Sequence, residues 1–225
     1  MVSVVLPVLN EMKALPALLA ALCAQPGEFE VIVADGGSTD GSLDWLRGQP
    51  QVRLVQCGKG RAVQMNAGAA VAGGDLLLFL HADTRLPDGA IAALDAAHQR
   101  GDWQAGAFRH RFAPQDWRLG LVSWGNNLRC RISRIYFGDQ ALFVQRALFE
   151  RLGGFPRVAA LEDVIFCERL RRHTRAVLLP QAVTTDARRF LHHGVWRSTW
   201  RALTILARHR LGLPALHHGF ADEVR

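Results

Sequence analysis

Four times in the first hundred residues, a short apolar run gives way to a polar turn and then to a helical pattern. The runs are residues 2–6, 29–34, 52–56 and 76–80. The helical patterns that follow are 10–24, a short one through Leu46 that Asp40 caps, 61–72, and one from Pro87 to Gln99. Strands alternating with helices in this way fold as a mostly parallel, doubly wound sheet with helices on both faces. The polar residues of this stretch fall where the runs end: Asn10-Glu11, Asp35, Gly58-Lys59-Gly60-Arg61 and His81-Ala82-Asp83. In such sheets ligands bind beyond the carboxyl ends of the strands, so the same pattern that predicts the fold also predicts where its chemistry lies.

After Gly101 the rhythm changes. Residues 105–112 read as a strand, 117–133 as a helix, 140–144 as a strand and 147–152 as a short helix closed by Gly153-Gly154. A helix over 162–172, short strands over 176–179 and 182–185, and a last helix over 195–210 complete the reading. No repeat or linker demands a cut. We therefore read residues 1–225 as one domain: a nucleotide-binding half (1–100), an acceptor and catalytic half (101–190), and a C-terminal basic helix with its tail (191–225).

With 49% apolar residues the chain can bury a core, which excludes disorder. Its formal charge of +7 and isoelectric point near 10.2 call for an anionic partner: a nucleotide diphosphate, nucleic acid or an anionic membrane. The arginines thicken toward the C-terminus, at Arg169, Arg171, Arg172, Arg188, Arg189, Arg197, Arg201, Arg208 and Arg210, whereas Asp35, Asp40, Asp75 and Asp83 lie early. The cysteines, Cys23, Cys57, Cys130 and Cys167, form no CxxC pair, as expected of free thiols in a reducing compartment. The N-terminus lacks a basic region before its apolar run, and so reads as a first strand and not a signal peptide. No apolar run approaches the roughly 20 residues that span a bilayer. The expected location is cytoplasmic, or peripheral at the inner membrane.

Each constellation has an ordinary explanation beside its functional one. Asp35, followed by Gly36-Gly37-Ser38, can accept hydrogen bonds from a base or ribose, or can simply hold a turn. Gly58-Lys59-Gly60-Arg61 can meet a phosphate or base at a helix N-terminus, or be a solvated basic turn; it lacks P-loop spacing. Asp83 suits a hard divalent cation bridging two phosphates, which needs only one or two protein carboxylates, and His81 is near enough to share it. Glu162-Asp163 can be helix-start acids that complement the macrodipole, or a general base for an acceptor hydroxyl.

Taken in order, Pro7-Val8-Leu9-Asn10-Glu11, Val33-Ala34-Asp35-Gly36-Gly37-Ser38-Thr39-Asp40, Gly58-Lys59-Gly60-Arg61 with Asn66 and Gly68, His81-Ala82-Asp83, and Glu162-Asp163 resemble glycosyltransferase family 2 over most of the chain. The resemblance implies a GT-A fold, a nucleoside diphosphate sugar donor (most often UDP-linked), Mg²⁺ or Mn²⁺, and inverting transfer to an acceptor hydroxyl. By resemblance, Asp35, Pro7, Glu11, Lys59, Arg61 and Asp83 bind the nucleotide. Asp83 also holds the metal, and Asp163, beside Glu162, is the catalytic base. The chain departs from the family twice. The usual second Asp after the second strand is Gly36, and the first Asp of the metal motif is His81, which leaves His81, His192 or His193 as candidates for a further ligand. Gly138-Asp139-Gln140, Gly153-Gly154-Phe155-Pro156 and Arg188-Arg189-Phe190 resemble a small bacterial subgroup associated with radical-SAM enzymes and arsenosugar biosynthesis. That implies Asp139 and Gln140 at the sugar or acceptor pocket and Arg188 or Arg189 at the diphosphate.

The expected partners are the donor and a small-molecule or lipid acceptor. The last helix carries Arg197, Arg201 and Arg208 on one stripe and Trp196, Trp200 and Leu203 on another. It can lie on an anionic membrane or pack its tryptophans on the sheet, and the second is the preferred reading. Two other functions compete. A nucleotidyltransferase would carry a GxGxxRxxxPK-like loop, absent from residues 5–13. A nucleic-acid binder would not place carboxylates at the strand ends, and no nucleic acid is expected.

Overall fold

The structure is a computed structural model that describes residues 1–158 and 160–213. Its sheet runs in the order β3-β2-β1-β4-β7-β6-β8-β5. The strands are β1 (Val2–Val8), β2 (Phe29–Asp35), β3 (Val52–Gln56), β4 (Leu76–Phe79), β5 (Thr84–Arg85), β6 (Ala105–Ala113), β7 (Phe143–Gln145) and β8 (Val177–Asp186). The pairings β1–β2, β2–β3, β1–β4 and β6–β8 are parallel, and the three that join β7 and β5 to the rest are antiparallel. One sheet thus takes strands from both halves of the sequence.

Both faces are covered, as continuous apolar strands require. Along β1 the even residues Val2, Val4, Leu6 and Val8 turn to one face, where α1 (Leu15–Cys23) and α4 (Ala90–Arg100) pack. Val5 turns to the other, against α3 (Arg61–Ala70), α6 (Arg146–Arg151) and α7 (Glu162–Leu170). Gly68 lets α3 approach β1: a Cβ there would lie 2.5 Å from Val5 Cγ1. The remaining helices are α2 (Ser42–Arg47), α5 (Trp117–Ser133), α8 (Arg188–His193) and α9 (Val195–Arg210).

The structure differs from the sequence reading in several places. Helix α1 starts at Leu15, not Asn10, because Asn10 takes φ +57° and its N–H donates to Ser38 Oγ at 2.9 Å. Residues 176–179 and 182–185 belong to one strand, β8, whose register on β6 jumps from Phe108↔Leu179 to Arg109↔Ala182; Pro180 and Gln181 sit in the irregularity, where proline is tolerated. Gln140 lies in a single 3-10 turn, Gly138–Gln140, ahead of β7. The two-residue strand β5 and the helix α8 were not expected. Trp196 and Trp200 on α9 do not pack on the sheet but face outward, while Val195 and Ser198 turn inward. Of the C-terminal segment, residues 214–225 lie outside the described residues.

Candidate functional site

At the carboxyl end of β2, Asp35 is buried. Its Oδ1 accepts from Gly37 N (2.9 Å) and Ser38 N (3.0 Å), whereas Oδ2 is buried without a partner. A buried, unpaired carboxylate oxygen is costly, and an incoming donor would relieve it. Asp35 therefore holds a turn with one oxygen and leaves the other without a partner among the described residues. This strand end is braced by Gln64 of α3, whose Nε2 donates to Val8 O (2.6 Å) and Ala34 O (3.1 Å) and ties β1 to β2 at their ends. Gly36 sits on that amide, where a Cβ would come within 2.9 Å. Sequence reasoning missed Gln64; the available signal was an amide on the buried face of a helix otherwise lined by alanine, methionine and glycine.

The loops around this strand end are stitched together. Asn10 Oδ1 accepts from Thr39 N at 2.8 Å, and Asp40 accepts from Met12 N and from the Ser42 N–H and hydroxyl; the N-cap position of α2 is Gly41, not Asp40 as expected, and Asp40 ties the α1 approach to the start of α2. Pro7 lies opposite Ala34 in the β1–β2 register, and Glu11, half-buried, donates its N–H to Ser42 Oγ. Lys59 is exposed in the loop before α3, where Gly60 takes φ +131°, a conformation side chains resist.

Arg61 joins the two halves. Its Nε lies 3.0 Å from Glu162 Oε1 in an ion contact between the N-termini of α3 and α7. Partial burial works against its charge, but Glu162, Asp163, Asp83 and Asp139 together hold the guanidinium more firmly protonated than usual. Glu162 is itself buried, which pushes its carboxyl up, against the pull of Arg61 and with a further push from Asp163. The neighbouring Asp163 is gripped by backbone: Gly138 N donates to Oδ2 at 2.6 Å and Val164 N to Oδ1 at 2.7 Å. Each oxygen keeps a further lone pair. Leu161, at φ +66°, is the strained residue from which α7 starts.

His81 lies against this group. A Cβ on Gly138 would stand 2.4 Å from His81 Cε1, 2.7 Å from Nε2 and 3.5 Å from Asp163 Oδ2, so only the absence of a side chain there lets the imidazole pack against the turn beside the carboxylate. His81 Nε2 is buried without a partner. Burial, with Arg61 and Arg189 nearby, drives the imidazole down to about 4 against the opposing pull of Asp83, so it is neutral at physiological pH. Asp83 follows at half-burial, accepts from the Thr84 hydroxyl, and lines a cleft of about 550 Å³ with Lys13, Arg85 and Arg188. Arg188 Nε also pairs Asp186 at 2.6 Å.

Asp139 joins the cluster from the 3-10 turn. Burial pushes its carboxyl up; His110 Nε2, 3.6 Å away, pulls the other way. Behind it, Asn127 of α5 grips the His110 backbone on both sides, N–H and carbonyl, at 2.9 Å each. Gln140 does not reach the cleft. It is fully buried, its Oε1 accepting from Phe137 N and Cys130 Sγ and its Nε2 donating to Phe108 O, so it fixes the turn that presents Asp139. His192 and His193 lie ring to ring on α8, and no hydrogen bond or ion pair among the described residues joins either to Asp83. Asn66, one of the residues that carry the family resemblance, clasps the Phe155 backbone at 2.8 and 2.9 Å. Among the described residues no group of three or more His, Cys, Asp or Glu side chains is arranged to hold a metal by itself.

The family model for glycosyl transferase family 2 matches residues 3–151, well over half of the chain, spanning every strand end described above except those beyond β7. The chain belongs to glycosyl transferase family 2. This family 2 chain is 31% identical over 173 residues to a PGL/p-HBAD biosynthesis glycosyltransferase of Mycobacterium bovis, covering 69% of this chain and 63% of that protein. It is 30% identical over 200 residues to the undecaprenyl-phosphate 4-deoxy-4-formamido-L-arabinose transferase of Serratia proteamaculans, covering 84% and 57%. The chain thus spans less than two thirds of the length of these relatives. Its fold matches that of the Pyrobaculum calidifontis mannosyltransferase PcManGT, solved with GDP-Man and Mn²⁺ (TM-score 0.71, 24% identity, covering 95% of this chain and 65% of that one). It also matches S. aureus TarS 1-349, solved with UDP-GlcNAc (TM-score 0.66, 21% identity, covering 83% and 58%). The chain therefore combines family 2 membership with a GT-A architecture.

Proposed function

We propose that the chain is an inverting transferase that moves a sugar from a nucleoside diphosphate, UDP by preference, to a hydroxyl on a lipid-borne acceptor. The observation that carries the reading is the convergence of Asp83, Asp139, Glu162 and Asp163 on Arg61 at the edge where β4 and the start of α7 meet. Isolated from ligands, that much negative charge beside one guanidinium is poorly compensated; a donor pyrophosphate with its cation is the natural complement.

In this reading the base and ribose lie against the strand ends braced by Gln64, with Asp35 Oδ2 accepting a ribose or base donor, Pro7 and Glu11 forming a wall, and Lys59 and Arg61 flanking the phosphates. Arg188 and Arg189 approach the diphosphate from the other side. A divalent cation fits the donor set: the Asp83 carboxylate and the neutral, unpartnered Nε2 of His81 offer two ligands, and phosphate oxygens complete the shell. Mg²⁺ or Mn²⁺ there would offset charge on the departing diphosphate. Asp163, oriented by Gly138 N, takes the acceptor proton as the acceptor oxygen bonds to the anomeric carbon and the bond to the diphosphate breaks. Asp139 lies where it can orient the sugar or acceptor.

That the acceptor is carried on lipid is supported by the Serratia relative, whose name specifies undecaprenyl phosphate, and by the basic last helix, the side from which we expect the membrane; a hydroxyl as the accepting group rests on Asp163 as base and not on that relative. Membership of the radical-SAM-associated subgroup is part of the same proposal and rests on the Gly138-Asp139-Gln140, Gly153-Gly154-Phe155-Pro156 and Arg188-Arg189-Phe190 segments alone.

The test is a thermal-shift and hydrolysis screen of UDP-, GDP- and dTDP-sugars with and without Mn²⁺. One nucleotide should stabilise the protein, and Asp83→Ala should abolish that response. Asp163→Asn should keep donor binding and lose transfer by ~10²–10⁴-fold. Parent-rate turnover by that variant would refute the base.

A further inference from the structure

Helix α5 buries its less apolar side. Leu119, Ser123 and Cys130 turn inward, while Trp117 (74% exposed), Leu121, Trp124 (63%), Leu128 and Ile132 (78%) recur at helical spacing along the outside. This stripe runs the length of the helix, roughly 25 Å at 1.5 Å per residue. It continues onto α9, where Trp196, Trp200 and Leu203 form a second outward stripe. The Trp117 and Trp196 rings meet at 6.3 Å, and beneath them Phe112, Leu119, Ala187 and Val195 pack the two helices together. Soluble surfaces rarely expose a contiguous apolar ridge of this size without a partner.

The charge around the ridge has one sign. The sequences of α5 and α9 contain seven arginines and no aspartate or glutamate. Asp116 pairs Arg118 at the start of α5, and Glu168 pairs His209 near the end of α9. Exposed tryptophans interleaved with arginines suit the headgroup region of an anionic bilayer, where indole rings and guanidinium groups are both accommodated. A second copy of the chain suits it poorly, because face-to-face pairing would set arginines against arginines with no carboxylate on either helix.

We propose that the paired outer faces of α5 and α9 are a membrane-docking surface that seats the protein on anionic lipid, with α5 supplying most of the apolar contact. No described helix is long and apolar enough to cross a membrane, so the contact lies in the plane of the interface. The inference depends on no donor or acceptor chemistry, so its failure and that of the transferase reading are separable.

The experiment is co-sedimentation with vesicles of phosphatidylcholine alone and of phosphatidylcholine with phosphatidylglycerol, using the whole chain. The protein should pellet with the anionic vesicles, less so as salt rises, with a blue shift in tryptophan emission. Trp124→Ser with Trp200→Ser should reduce partitioning at least about tenfold while leaving the thermal melt and soluble-donor hydrolysis unchanged. Arg131→Ser with Arg197→Ser, which removes exposed charge and no apolar contact, should abolish the preference for phosphatidylglycerol. Failure of the parent protein to bind either vesicle would overturn the proposal. So would vesicle binding by the tryptophan variant at the parent level, or a solution dimer that the tryptophan variant abolishes.

Discussion

Replacing Gly138 with alanine tests the site's most crowded point. The new Cβ would stand 2.4 Å from His81 Cε1 and 2.7 Å from Nε2, an ångström inside ordinary van der Waals separation. The backbone tolerates the change, since Gly138 is not among the positive-φ positions. The collision is with the end of a side chain, so the imidazole must swing away or the 3-10 turn must lift. Overpacking of this kind costs about 1–3 kcal/mol, and a partly accessible ring able to rotate puts it in the lower part, about 1–2 kcal/mol. For a chain of this length that is a fall in melting temperature of about 2–8 °C. Either movement also disturbs the Gly138 N–H that orients Asp163, so transfer should fall by about 10²-fold even where donor binding persists. The decisive assay is a double-mutant cycle in chemical denaturation. In a His81→Ala background the space is empty, and Gly138→Ala should cost less than about 0.5 kcal/mol. Full additivity of the two substitutions would refute the geometry argued here.

Three further outcomes follow from the same contacts. Arg61→Met removes the counter-ion of buried Glu162; because Arg61 is 44% exposed, the loss should be roughly 1 kcal/mol at neutral pH. Glu162, already pushed up by burial, rises further, so the loss should shrink as pH falls toward the ordinary glutamate range, which denaturation at several pH values would reveal. In metal-free protein His81 resists protonation down to about 4 while its unfolded counterpart titrates near 6.5, so stability should fall with acidification across that window by at most about 3 kcal/mol. A His81→Asn variant with the same slope would remove His81 as its source. Asp35→Asn keeps an acceptor for Gly37 and Ser38 but alters the unpaired oxygen, so donor KM should rise about tenfold with the melt nearly unchanged; Asp35→Ala should additionally cost about 1–2 kcal/mol. Isothermal titration and melting curves on the two variants separate the roles.

Much of this site is legible in the sequence because parallel strands buried on both faces are apolar throughout, and polar residues stand out where they end. Asp35, Asp83 and the Gly60-Arg61 pair could be assigned to strand tips from pattern alone, and the helices 117–133 and 195–210 come out with the bounds the structure gives. What pattern could not supply is the far partner. Strand β5 has two residues and exists only through its pairing with Thr184 and Thr185 of β8. Gln140 reads as a polar residue beside an acid, as a ligand residue would; only the approach of Cys130 from α5 and Phe108 from β6, with Phe137 at the start of its own turn, makes it a buried brace. His81 and Gly138 are 57 positions apart, and their contact is a consequence of the β4–β7 pairing and the turn before it.

Helix α5 marks the sharpest limit, because its periodicity is correct and its orientation is the reverse of the usual one. An amphipathic pattern identifies a helix and the angle between its faces. Which face turns inward is decided by what the rest of the fold offers to cover it. Here Asn127 must reach the His110 backbone, and Cys130 must reach Gln140 and the Ile135 carbonyl; both contacts require the polar, small-residue side to face the sheet. The five large apolar residues opposite are then forced outward, onto the same side as Trp196 and Trp200. The groups that support Asp139 from behind and those exposed on the ridge are therefore two sides of one helix. A perturbation that rotated α5 to hide its tryptophans would break the clasp on His110. Exposure of the ridge is the structural counterpart of an ordered site.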